Sequence, residues 1–192
     1  LIATATEGSI SQGGSTVLTV TGNTSLTTSE SGGTITLDQT NRFGLTGSGT
    51  LALNTSGSTG HAIIDNGTTK LDMAASSVGG NLSLRTGAAL GIINTSGTVA
   101  VGGTLTLVTD DNSGVINMPN LAVVDSVDLS THGSGNATLV NTRALEFAAS
   151  EVGGDLAATA TIGSITQIGA LDIEGTSTLL TSEDDADILL AN

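Results

Sequence analysis

The chain has no cysteine, no tryptophan and no tyrosine, a single proline (Pro119), and four cationic side chains among 192 residues. Each shortage excludes something. Without cysteine there is no disulfide scaffold and no thiolate metal site. Arg42, Lys70, Arg85 and Arg143 stand against 18 carboxylates, a formal charge of −14. Four scattered cations cannot neutralise a phosphate track, so nucleic acid is excluded as a partner. No apolar run approaches the roughly 20 residues that cross a bilayer as a helix, so no membrane-spanning segment is expected. No basic-then-apolar signal opens the chain either. It starts at Leu1 rather than Met, which reads as the edge of a fragment with any targeting signal upstream. Aromatic residues are limited to Phe43 and Phe147.

What is abundant is small: 27 glycines, 32 threonines and 21 serines. Such a composition could mean disorder. Leucine, isoleucine, valine and phenylalanine nevertheless make up about 26% of the chain, above the roughly 20% level at which cores fail. Mean hydropathy of +0.26 agrees. Helix is disfavoured, because threonine, valine and isoleucine are stiff at χ1. The doublets Gly13-Gly14, Gly32-Gly33, Gly79-Gly80, Gly102-Gly103 and Gly153-Gly154 would also interrupt it.

A repeat organises the chain. Anchor leucines of a short x-Leu-x strand fall at Leu1, Leu26, Leu51, Leu82, Leu105, Leu129, Leu156 and Leu179, spaced by 25, 25, 31, 23, 24, 27 and 23 residues. The two long steps read as loop insertions. Each period continues with a G-x-Ile type strand, at Ile10, Ile35, Ile63-Ile64, Ile92-Ile93, Ile116, Leu139 and Ile165. A Φ-x-Φ strand follows, at Leu18/Val20, Phe43/Leu45, Leu71/Met73, Val99/Val101, Leu121/Val123, Leu145/Phe147 and Leu171/Ile173.

Three short alternating strands per turn cannot bury their apolar sides alone, whereas stacked turns bury all of them. The pattern predicts an all-β, three-sided parallel β-solenoid of about eight turns of about 25 residues, one segment over 1–192. An antiparallel sandwich would explain the turns but not the register. Alternation sends leucine, isoleucine and valine inward and threonine, serine, asparagine and aspartate outward. At one strand spacing per turn the rod is roughly 40 Å long. Phe43 and Phe147 read as interior gap-fillers, and Ser58 to Thr69, inside the longest step, as the most protruding loop. Residues 3–12, ATATEGSISQ, return at 158–167 as ATATIGSITQ. Neither end shows a polar cap, so the segment reads as part of a longer repeat array.

The phrases SVGGNLSLRTG, AVGGTLTLVTD and EVGGDLAATATIGSITQIGALDIEG resemble the repeats of filamentous-haemagglutinin-type adhesins and related giant exoproteins. The resemblance covers essentially the whole chain, most strongly Ser77 to Thr181. It implies a right-handed parallel β-helix, exported and displayed as part of a long extracellular stalk. The stretch Asn117-Met118-Pro119-Asn120 does not match the secretion-domain motif of such proteins, which places the segment outside that domain.

No catalytic, cofactor-binding or metal-ligating residue is assigned. Polysaccharide-cleaving β-helices need paired carboxylates or cation clamps and commonly aromatic platforms, and here the cations are scattered and the rings are missing. Calcium has candidate oxygen donors in Asp110-Asp111-Asn112 and Glu183-Asp184-Asp185-Asp187. The repeating calcium motif is absent. Acidic corners recur at Glu7, Glu30, Asp110 and Glu183, mostly not in adjacent turns, so solvated corners are the expected reading. His61 and His132, each beside a glycine, read as exposed corner residues without partners for zinc. Of the outward pairs flanking the anchors, Thr104/Thr106 alone is Thr-x-Thr, too irregular for an ice-binding face. The expected role is an extracellular, cell-surface spacer without chemistry of its own. Its expected partners are neighbouring repeats or head-to-tail copies, and a host-cell, bacterial-cell or polysaccharide surface. A self-assembling fibre subunit and a polysaccharide-binding or -cleaving β-helix stand as alternatives.

Overall fold

A computed structural model describes residues 1–190, which form short strands joined by tight corners, with no helix among them. Two sheets run the length of the molecule, each along a path of nine stacked strands. Short strands such as Thr19–Val20 and Arg42–Phe43 supply the remaining side, and they too pair in parallel. This is the β-solenoid that the alternating pattern predicts. It has about nine turns of roughly 22 residues, against the eight of about 25 expected.

The second sheet displays the true repeat. Ile10, Ile35, Ala62, Leu82, Leu105, Val127, Phe147 and Gln167 follow one another in register. The anchor leucines do not form one column. Leu26 and Leu51 lie in the first sheet, in Thr24–Ser31 and Leu51–Ser56. Leu82, Leu105 and Leu129 lie in the second, in Leu82–Thr86, Leu105–Thr109 and Ser126–Ser130. Leu156 and Leu179 return to the first, in Leu156–Ala160 and Ser177–Thr181. The steps of 31 and 27 residues are therefore changes of sheet rather than insertions. Strands of both sheets carry a Φ-x-Φ face, as Leu82–Thr86 and Leu51–Ser56 do, so local pattern does not say which side of the solenoid a strand occupies.

The Ser58 to Thr69 stretch is likewise no protruding loop. Ala62–Asp65 is a strand of the second sheet, and Ala62, Ile64 and Asn66 are buried. Inward columns such as Leu37, Ile64, Leu84, Leu107 and Leu129 stack in register. All five are at most 2% exposed, and each such burial contributes about 1.5–3 kcal/mol. Phe43 and Phe147 are buried, as expected, the latter between Val127 and Gln167.

The inward–outward rule fails at strand ends. Thr28, Thr55, Thr86, Thr109 and Thr131 are buried, and so are Asn41, Asn66, Asn94 and Asn141. Where the backbone leaves the ladder its polar groups turn toward the interior, and they must be paired there.

Candidate functional site

In a stack of turns each unit touches only its neighbours, so the residues that couple one turn to the next set what the whole rod can do. They sit at the corners. At four of these corners the residue after a glycine carries an acceptor for the backbone of the following turn, twice (Asn81 and Asp155) as the x of GG-x-L. Asn81 Oδ1 accepts the N–H of Thr104 at 3.1 Å, and His61 Nδ1 accepts that of Asn81 at 2.8 Å. Asn136 Oδ1 accepts from the Asp155 N–H at 2.8 Å, and Asp155 Oδ1 from the Thr176 N–H at 2.7 Å. The glycine before x keeps this space open. A Cβ on Gly103 would lie 2.2 Å from Asn81 Oδ1, and one on Gly154 equally close to Asn136 Oδ1. The doublets therefore do more than interrupt helix.

Two further devices use the buried polar residues. The hydroxyls of Thr28, Thr55, Thr109 and Thr131 donate to the carbonyls of Gly33, Gly60, Gly114 and Gly135, closing the corner that follows each strand. Asn66 and Asn141 act as one more rung of the ladder. Asn66 Oδ1 accepts the Phe43 N–H at 2.7 Å while its Nδ2 donates to the Phe43 carbonyl at 3.1 Å. Asn141 treats Val123 in the same way, at 2.8 and 3.1 Å. Asn94 completes half the pattern: Nδ2 donates to the Met73 carbonyl, whereas its buried Oδ1 accepts from no group of the protein.

The acidic corners are dispersed by the fold. Glu30 accepts the N–H of Gly8 and Glu183 that of Gly163. Asp110 is held by Arg85 through two bonds of 2.7 and 2.8 Å. Asp111 accepts the backbone N–H and the hydroxyl of Ser113, and these bonds hold its carboxyl below the usual range. Asp187 gives its N–H to Ser164 Oγ at 3.0 Å, while Asp184 and Asp185 are exposed, as is Glu7. Among the described residues, no three carboxylate or imidazole side chains gather as a cation site. His61 is half-buried rather than exposed, and exposed His132 has Nδ1 2.9 Å from the Thr109 carbonyl. Elsewhere, burial pushes the Asp128 carboxyl up.

Among the grooves on the flanks, two have an arginine or lysine on their walls. One of about 520 Å³ lies over Ala122, Ala144 and Gly163 between the exposed side chains of Val124 and Ile162, with Arg143 on its wall. The other, of about 350 Å³, lies between Arg42 and Lys70.

Over residues 1–48 and 134–192 the chain matches a family described as repeats of unknown function (DUF5649). Those two stretches contain the two copies of the repeated decapeptide. No curated protein and no solved structure matches the chain.

Proposed function

The chain belongs to that family of repeats of unknown function, and from this premise we propose that it is a structural spacer in the stalk of a large extracellular adhesin or exoprotein. The observation that carries the reading is the coupling between turns. Backbone ladders link nine stacked strands in each of two sheets, and side-chain clips at the corners add bonds between adjacent turns that resist bending and fraying. Stiffness arises without metal or disulfide, and the acidic surface limits non-specific association. The role is mechanical, with no chemistry of its own. The phrases SVGGNLSL, AVGGTLTL and EVGGDLAA, shared in type with filamentous-haemagglutinin-like repeats, support the placement on a bacterial surface.

A second reading has its own observation. Successive turns pair in parallel through the same two sheets, a surface that repeats along the axis and suits a subunit that stacks head to tail into a fibre. Light scattering over a concentration series, with electron micrographs of the same samples, separates the two. Monomeric rods of about 40 Å support the spacer, and filaments that lengthen with concentration overturn it in favour of the fibre.

A further inference from the structure

Charge is unevenly spread along the rod. Residues 1–96 carry three cations and five carboxylates, residues 97–192 one cation and thirteen carboxylates. Two of those three cations, Arg42 and Lys70, face one groove of about 350 Å³, whose other walls include Gly44, Gly47, Thr68 and Thr69. No carboxylate lines it. Lys70 is only 16% exposed and is held in place by Nζ donating to the Gly47 carbonyl at 2.9 Å and to Asp72 Oδ2 at 3.4 Å. An ammonium has three hydrogens, so one is left for the groove. Arg42 is exposed, and the ion pairs among the described residues, Lys70–Asp72 and Arg85–Asp110, do not include it. In a chain with 18 carboxylates, the unpaired guanidinium of Arg42 makes a local field of sign opposite to the whole.

We propose that this groove is a binding site for a phosphate or sulfate group. The planar fork of Arg42 offers two parallel N–H donors to two oxygens of a tetrahedral anion. Lys70, which lines the same groove, supplies a third donor, and the hydroxyls of Thr68 and Thr69 supply neutral ones. The site is independent of the spacer role, since it uses the outward side chains at two corners and not the inward bonds that couple one turn to the next.

The test is a titration of the whole chain with inorganic phosphate at neutral pH and constant ionic strength, followed by amide chemical shifts. Saturable shifts at Gly44, Gly47 and Thr68 to Lys70, with a midpoint of about 1–10 mM, are expected. Sulfate should shift the same amides, and acetate should do so at least tenfold more weakly. Arg42→Ala should weaken phosphate binding at least tenfold, and Arg42→Lys, which keeps the charge but not the fork, several-fold. Arg143→Ala, in the other groove, should leave it unchanged. Shifts that do not saturate, equal shifts around Arg85 and Arg143, acetate as effective as phosphate, or unaltered binding by a folded Arg42→Ala protein would each overturn the assignment.

Discussion

Residues 3–12 and 158–167 differ at two of ten positions and lie 155 residues apart, and they build one corner twice. Gly8 and Gly163 have φ of 77° and 78°, in the region that only glycine occupies without strain. Each N–H is taken by a glutamate of the following turn. Ser9 Oγ accepts the Thr34 N–H at 2.9 Å, and Ser164 Oγ accepts the Asp187 N–H at 3.0 Å. Ile10 and Ile165 then donate to the carbonyls of the same two residues. The surroundings differ. Ala3 and Ala5 are half-buried on the first turn, whereas Ala158 and Ala160 are at most 2% exposed within the stack. Corner shape is thus set by the peptide and its receiver one turn on, and burial by the neighbours, as a one-dimensional stack requires.

The largest effect should come from the core of the deeply stacked region. Phe147→Ala should cost about 3–5 kcal/mol in a urea titration, with Phe43→Ala at the low end of that range because its short strand can relax toward the first turn. An unchanged midpoint for Phe147→Ala would contradict the inward column. Next come the asparagine rungs. Asn66→Ala and Asn141→Ala each leave a backbone N–H and C=O of the preceding turn unpaired, at about 1–3 kcal/mol per group. Asn94→Ala should cost less, since its Oδ1 accepts no bond. Equal losses at all three would show that the rung is not what stabilises the corner.

The duplicated corner offers a finer comparison. Gly8→Ala adds a Cβ with nothing within 4 Å, so its cost is the backbone strain alone, about 1–2 kcal/mol. Gly163→Ala bears the same strain and also meets the Ala144 Cβ at 2.9 Å. Thermal melts should therefore rank Gly163→Ala as the more damaging. The smallest effect is electrostatic. Burial raises the Asp128 carboxyl above its ordinary range, so the folded state disfavours the ionised form. Its relative stabilising contribution is fully present below the ordinary carboxylate range and is lost as pH rises through the raised value. Asp128→Asn should gain less than about 1 kcal/mol at neutral pH, and urea midpoints measured in acid should show no gain.

Composition and alternation were enough to read a parallel solenoid, because one apolar face per short strand has few ways to be buried. They also placed Phe43 and Phe147 inside. Register was harder. GG-x-L marks a corner, and the corner before Leu82 opens a strand of the second sheet while that before Leu156 opens one of the first. Nothing within a strand distinguishes these positions, because the information lies in the partner one turn away. The clips were hidden for a related reason. Asn66, Asn141 and Thr109 look like solvated polar residues until the backbone groups they serve are known to point inward. Glu30 and Glu183 read as solvated acids, although each follows the glycine of its decapeptide by about one turn, 22 residues after Gly8 and 20 after Gly163, which carried a usable signal.

The central claim is that turns advance by about 22 residues and that the leucine-rich strand changes sheet between Leu51 and Leu82. Since the chain lacks cysteine, paired substitutions test this directly by oxidative cross-linking. Ile63→Cys with Ser83→Cys joins residues in register on adjacent turns and should form a disulfide readily. Ala52→Cys with Ser83→Cys joins residues that a constant leucine phase would stack, but that lie in different sheets, and should not. Cross-linking of the second pair and not the first would contradict the register and with it the account of the corners.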